Sequence, residues 1–77
     1  MVIFLQLKGP LKKYAGEKAL TAVAVEEEQP TVSSVLQKTA IPTSSISFIQ
    51  VNDQKVGPDY ILKGGDTLTL NPRVAGG

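Results

Sequence analysis

One stretch of helical periodicity, enclosed by short runs of β-prone residues, constrains this fold more than any other feature of the sequence. Thr31 can cap the helix, and the Ile41-Pro42 pair ends it, because a residue before proline is driven out of the α region. The helical stripe consists of Val32, Val35, Leu36 and Thr39. Alternating runs predict strands over residues 2–8, 19–25 and 46–51, near residue 56, and over 66–71. The order β-β-α-β-β-β predicts an α+β domain in which a mixed sheet of four to five strands curls around one helix.

Side-chain alternation along the strands separates an inner from an outer face of the sheet. The inner face, the helical stripe and the segment before the last strand predict the core: Ile3, Leu5, Leu7, Val35, Leu36, Ile49, Val51, Leu62, Leu68 and Leu70. Phe4 and Phe48 have the opposite parity and are expected to point away from the helix. The segment 9–18, which carries Lys12, Lys13 and Lys18, is predicted to be a solvated basic loop.

The composition argues against an autonomous enzyme. The chain has 77 residues, which suffice for one small domain but hardly for a deep, lidded pocket. It contains no Cys and no His, which excludes disulfides, zinc-cluster sites and thiol or imidazole catalysis. Its acids form no pair arranged for acid–base chemistry, and no glycine-rich phosphate loop opens the helix. We therefore expect neither a metal site nor a cofactor bound by the chain itself.

Net charge and hydropathy limit which partners and which cellular location are expected. The formal net charge is +1, so no strong attraction to nucleic acid or to a membrane surface is expected. The longest apolar run, residues 1–5, is far too short to span a bilayer and lacks the features of a signal peptide. A cytoplasmic location is expected.

The sequence ends in Gly76-Gly77, shortly after Pro72 closes the last predicted strand. Glycine has no Cβ, so a tail that ends in two glycines can enter a narrow site on another protein. The reactive group on such a tail can be the terminal carboxylate of Gly77 itself. The alternative interpretation is a frayed or artificial end. We predict a folded domain over residues 1–72 and a flexible tail over residues 73–77.

The element order and the closing half of the chain resemble the ubiquitin-like β-grasp sulfur carriers of the MoaD and ThiS type. In that family a strand ends in Val-Asn, a Gly-Asp turn opens the last strand, and the chain finishes Val/Ile-Ala-Gly-Gly. The corresponding residues here are 51–52, 65–66 and 74–77. Two positions depart from the pattern: Asp53 replaces a frequent Gly, and Gly64 replaces a frequent Asp. Both are turn positions, which tolerate Asn, Asp or Gly.

The resemblance implies a function for the tail that is performed with other proteins. An adenylating enzyme would use ATP to convert the Gly77 carboxylate into an acyl-adenylate, and sulfur from a persulfide donor would then replace AMP to give a thiocarboxylate. Gly76 would let the tail approach without side-chain clashes. Ala75 and Val74 would be gripped as an extended segment, and Arg73 would pair with a carboxylate on the partner.

Three functions share this tail chemistry. The first is a sulfur carrier for molybdenum cofactor biosynthesis, as the small subunit of molybdopterin synthase, which the length and the proline before the tail favour. The others are a sulfur carrier for thiamine thiazole synthesis and a ubiquitin-like modifier joined to lysines through Gly77. A β-grasp binding module with an inert tail is a fourth option. The partners implied are a ubiquitin-activating-type adenylating enzyme and the large subunit of molybdopterin synthase or thiazole synthase.

The resemblance also gives Phe4 and Phe48 a role. A β-grasp fold is expected to place their strands close together, and exposed apolar patches on small domains often mark interfaces. We expect the two rings to form a docking surface for the partner.

Overall fold

The computed structural model describes residues 1–39 and 41–73 and has one α-helix and one sheet. The strands are β1 (Val2–Leu7), β2 (Leu20–Ala24), β3 (Ile46–Val51), β4 (Gln54–Val56) and β5 (Thr67–Pro72). The helix α1 spans Val32–Gln37, and two 3₁₀ segments cover Gly9–Ala15 and Thr43–Ser45. The strands and the helix therefore follow the predicted order, while the predicted basic loop contains the first 3₁₀ segment.

The five strands form a mixed sheet with the order β2-β1-β5-β3-β4. β5 is parallel to β1 and antiparallel to β3, and the two outer pairs are antiparallel. The last strand of the chain thus lies at the centre of the sheet. This arrangement confirms the β-grasp fold that was predicted.

Helix α1 begins where Thr31 was predicted to cap it. The Thr31 hydroxyl accepts the Ser34 N–H at 3.0 Å, and the Ser34 hydroxyl accepts the Thr31 N–H at 3.1 Å, a reciprocal capping box. The helix is shorter than predicted. The N–H groups of Lys38 and Thr39 bond to carbonyls three residues back, and the Thr39 hydroxyl donates to the Leu36 carbonyl at 2.8 Å. These bonds satisfy the last carbonyls and end the helix before Ile41.

The core lies between α1 and the inner face of the sheet. Nine of the ten predicted core residues are buried, and Ile49 is only partly buried. A register shift between Ile46 and Phe48 interrupts regular alternation at the start of β3, which the sequence pattern does not reveal. The core also contains five residues that were not predicted: Leu11, Val25, Val32, Ile41 and Ile46.

The described residues contain no helix long and apolar enough to cross a membrane.

Candidate functional site

The end of β5 fixes the point from which the predicted tail departs. Pro72 is the last strand residue and lies opposite Ile46, although pairing was predicted to stop before it. A strand end tolerates proline, because its missing N–H is not needed there. The next residue, Arg73, donates its backbone N–H to the Ser45 carbonyl at 3.1 Å. The backbone is therefore held through Arg73 by the second 3₁₀ segment.

The four other residues predicted for tail recognition and reaction, Val74, Ala75, Gly76 and Gly77, lie outside the described residues. Their roles remain predictions. Arg73 is exposed and lines a cleft of about 290 Å³ together with residues from both 3₁₀ segments.

The two short motifs that carried the family resemblance meet at the opposite end of β5. The Asn52 side-chain amide donates to one Asp66 carboxylate oxygen at 2.9 Å, and the Lys63 N–H donates to the other at 2.8 Å. The Asn52 side-chain carbonyl accepts the Thr67 N–H at 3.0 Å. Asp66 is 9% exposed, so its carboxylate depends on these donors. We call this group the Asn52–Asp66 cluster; it joins the β3–β4 turn to the start of β5.

Backbone geometry explains both departures from the family pattern. Asn52 and Asp53 have φ values of 50° and 70° and form a two-residue hairpin turn, in which Asp is an accepted alternative to Gly. Gly65 has φ of 86°, a conformation that favours glycine, whereas a Cβ on Gly64 would make only an ordinary contact with Met1 at 3.5 Å. The position that requires glycine is therefore 65, which the chain retains.

Phe4 and Phe48 lie on the outer face, as predicted, but they do not form one patch. Their side chains are 36% and 37% exposed. Phe4 lies opposite Thr67 and Phe48 opposite Asn71, so β5 separates them and they sit four residues apart along it. With strand spacing near 4.8 Å and a rise near 3.3 Å per residue, the two positions are about 16 Å apart. β1 and β3 are therefore not neighbours and the two rings form no continuous patch, while their role in docking stays a prediction.

The outer face between the two rings is polar. The Thr69 hydroxyl donates to the Gln6 side-chain carbonyl at 3.1 Å, and the Asn71 amide donates to the Gln50 side-chain carbonyl at 3.2 Å. Thr69 is buried even though its parity is outward. A docking surface on this face would therefore have apolar corners around a polar centre.

Each phenylalanine instead has its own neighbours. The register of β1 with β2 places Phe4 opposite Ala22 and near the exposed side chains of Val2 and Leu20. Sequence reasoning missed this apolar strip, since the pairing register of the first hairpin is needed to find it. Phe48 borders a separate cleft of about 430 Å³ between α1 and the strands β3 and β4, and the Lys55 ammonium lies 5.6 Å from its ring centre.

Within residues 1–39 and 41–73, no group of three or more His, Cys, Asp or Glu side chains is arranged to hold a metal ion.

Comparison with solved structures identifies other proteins of this fold. SAMP1 from Haloferax volcanii is 21% identical, with 100% of both chains covered and a TM-score of 0.80. A chain of the BexX/CysO complex from Amycolatopsis orientalis is 26% identical, with 97% of this chain and 99% of that chain covered and a TM-score of 0.66. A chain of the complex of subunits 1 and 2 of molybdopterin-converting factor from Helicobacter pylori is 22% identical, with 100% of both chains covered and a TM-score of 0.64.

The comparison with curated proteins gave no match. A family model described as Mut7-C ubiquitin, however, matches residues 2–76. That match includes every strand, the helix and most of the segment after Arg73. The chain belongs to the Mut7-C ubiquitin family and has the ubiquitin-like β-grasp fold.

Proposed function

We propose that this protein is a sulfur carrier whose terminal Gly77 carboxylate is adenylated by a partner enzyme and converted into a thiocarboxylate. The observation that carries the proposal is the family match, which extends through Gly76 and so includes the segment that follows the last strand. Two of the similar structures, the BexX/CysO complex and the complex of subunits 1 and 2 of molybdopterin-converting factor, contain a partner protein, which supports a function performed with others.

The chemistry needs an activated carboxyl group. A carboxylate oxygen of Gly77 attacks the α-phosphorus of ATP and pyrophosphate leaves. A persulfide then attacks the acyl carbon and AMP leaves, which gives an acyl disulfide; a second thiol reduces this disulfide and releases the thiocarboxylate. Adenylation replaces a poor leaving group by a good one, as in other covalent activation strategies. In this proposal the partner binds ATP and supplies the catalytic groups. The carrier supplies the carboxylate and a tail that a partner can grip from Arg73 to Gly76.

We propose that the sulfur is used in molybdenum cofactor biosynthesis in the cytoplasm. The large subunit of molybdopterin synthase would be the second partner. The structural likeness to a chain of molybdopterin-converting factor supports this recipient. Thiamine thiazole synthesis, with thiazole synthase as the partner, uses the same tail chemistry. A modifier function is the second candidate, because SAMP1, a small archaeal modifier protein, superimposes with a TM-score of 0.80.

The test is the intact mass of the protein purified from its own host under non-reducing conditions. The proposal predicts a chain that ends at Gly77 and a fraction of it in which one sulfur replaces one terminal oxygen. A chain that continues beyond Gly77 in its active form, or that never carries sulfur there, would contradict the carrier function.

The same sample distinguishes the modifier. Trypsin cleaves after Arg73, so a lysine joined to Gly77 would retain a Val-Ala-Gly-Gly remnant after digestion. Host proteins that carry this remnant would support the modifier function in place of the carrier function, and their absence from a sample rich in the thiocarboxylate would support the carrier.

A further inference from the structure

The topology gathers several segments at the end of the molecule from which the tail departs. β1 and β5 are parallel, and β3 is antiparallel to β5. The ends of β1 and β5 therefore lie beside the start of β3. The two 3₁₀ segments, Gly9–Ala15 and Thr43–Ser45, lie at the same edge as Arg73. We call this edge the tail end.

Cations are concentrated at the tail end. Five of the eight Lys and Arg residues lie there, against one acid, Glu17. The five are Lys8, Lys12, Lys13, Lys18 and Arg73. The opposite end carries five of the seven acids, namely Glu26, Glu27, Glu28, Asp53 and Asp66, of which Glu27 is paired with Lys38 and Asp66 belongs to the Asn52–Asp66 cluster. A net charge of +1 thus conceals a separation of charge along the sheet.

The basic segment is mostly exposed, as predicted, but part of it is a 3₁₀ segment fixed to the domain and not an irregular loop. Leu11 is buried in the core and anchors the 3₁₀ segment. Gly9 has φ of 55°, and a Cβ added there would meet the Pro72 ring at 3.4 Å. The Lys8 N–H donates to the Leu70 carbonyl at 3.3 Å. The segment is therefore held against the end of β5.

A cleft opens between this 3₁₀ segment and Arg73. Its volume is about 290 Å³. Its walls combine an apolar surface with two cationic side chains, Lys13 and Arg73. The Lys13 ammonium lies 5.3 Å from the centre of the Tyr14 ring, which holds a cation above an exposed aromatic face. Such a cleft suits a side chain with an apolar stem and a carboxylate head.

We propose that this tail-end cleft is the docking site for an acidic segment of the protein that engages the tail. The inference rests on the proposed function, since engagement of the tail brings a partner to this end. Charge complementarity selects the occupant: the partner surface around its tail-binding channel must face five cations and one acid. The apolar floor of Pro10, Leu11 and Pro72 favours a protein side chain over a nucleic acid phosphate backbone.

Electrostatic complementarity of this kind acts mainly on the association rate and weakens as salt rises. Lys13→Glu reverses one exposed charge in the cleft. Lys63→Glu makes the same change in net charge at the opposite end, on another exposed lysine. A difference between the two variants therefore shows an effect of where the charge lies, because their net charges are equal.

The first measurement is the association rate of each variant with the host's ubiquitin-activating-type adenylating enzyme, at low and at high salt. Lys13→Glu should slow association about threefold or more at low salt, with the difference shrinking at high salt, while Lys63→Glu should not slow it. Pyrophosphate exchange at saturating carrier should be unchanged for both variants, so that KM rises and kcat does not. Equal association rates for the two variants would overturn the docking site but not the proposed function. Absence of pyrophosphate exchange with the wild-type chain would contradict the proposed function itself.

The second measurement does not require the enzyme. A glutamate-rich synthetic peptide is titrated into the isotope-labelled protein, beside a single-stranded DNA oligonucleotide of equal charge. The peptide should shift the amide signals around Tyr14 and Arg73, and Lys13→Glu should abolish these shifts while Lys63→Glu retains them. Tighter binding of the oligonucleotide at the same residues, or peptide shifts elsewhere on the molecule, would overturn the proposal. Circular dichroism spectra that match the wild type confirm the fold of both variants.

Discussion

Single residues of this chain show which parts of the family pattern maintain the fold. The Val-Asn and Gly-Asp motifs could be located in the sequence, but their contact could not, since residues 52 and 66 are joined only through the tertiary structure. The Asp66 carboxylate has two donors, the Asn52 amide and the Lys63 N–H, at 2.9 and 2.8 Å. Its role is to secure the start of the central strand.

Asp66→Ala should therefore destabilise the domain. The substitution leaves the Asn52 amide and the Lys63 N–H without their acceptor, at a cost of about 1–3 kcal/mol in the free energy of unfolding. Urea denaturation measures this loss. Asp59→Ala, at an exposed position, is the control and should change the free energy by less than about 0.5 kcal/mol. Equal effects of the two substitutions would show that the Asn52–Asp66 cluster contributes nothing.

Leucines on the two faces of the sheet provide a second test at this scale. Leu68 is 0% exposed at the centre of the sheet, whereas Leu20 is 54% exposed on the outer face. Leu68→Ala should cost about 2–5 kcal/mol, because it removes buried methyl groups and leaves a cavity. Leu20→Ala should cost about 0.5 kcal/mol or less. A Leu68→Ala variant as stable as the Leu20→Ala variant would contradict the register of β5.

At the scale of elements, periodicity predicted the strands and the start of the helix, but it did not predict the 3₁₀ segments or the register shift in β3. Alternation identified the inward residues of β1 and β5, but it missed the buried Ile46, because the register shift between Ile46 and Phe48 breaks the alternation there. The 3₁₀ segment Gly9–Ala15 has no periodic signature over so few residues, and Leu11 is its one buried residue. Whether Phe4 and Phe48 are neighbours depends on the strand order, which the sequence pattern does not give. In the structure β5 lies between β1 and β3 and separates the two rings.

This strand order changes what substitution of the outer phenylalanines should do. Phe4 and Phe48 lie on different strands with no shared partner, so the effects of Phe4→Ala and Phe48→Ala on the free energy of unfolding should add to within about 0.5 kcal/mol. Each should be smaller than the effect of Leu68→Ala, because both rings are more than a third exposed. Urea denaturation of the two single variants and the double variant measures the sum.

Binding of the same variants to the adenylating enzyme tests the proposed docking role. Phe48→Ala should weaken binding while most of the stability remains. In the unfolding experiment, effects of the two substitutions on the free energy that do not add would contradict the separation of the rings. Unchanged binding of both single variants would remove the phenylalanines from the docking surface.

For the whole molecule, the element order and the family motifs sufficed to predict the fold, and the charge separation between the two ends came only from the structure. Lysines that are scattered in the sequence, such as Lys8 and Lys18, meet at the tail end because β1 and β2 form an antiparallel hairpin. The Asn52–Asp66 cluster holds one end of β5, and Arg73 continues from the other. The fold thus separates the structural motifs of the family from the end at which the proposed chemistry takes place.

The most direct test of the carrier function is ATP–pyrophosphate exchange by the cognate adenylating enzyme with altered tails. Deletion of Gly77 moves the terminal carboxylate back by one residue, to Gly76, so that it should no longer reach the site of adenylation. Gly76→Val adds a branched side chain where the proposed channel admits only backbone. Gly57→Val is the matched control, because a Cβ at Gly57 meets nothing within 4 Å. We expect both tail variants to lose exchange, Gly57→Val to retain it, and all three to keep the wild-type circular dichroism spectrum. Full exchange with the chain that lacks Gly77 would contradict the carrier and the modifier functions together.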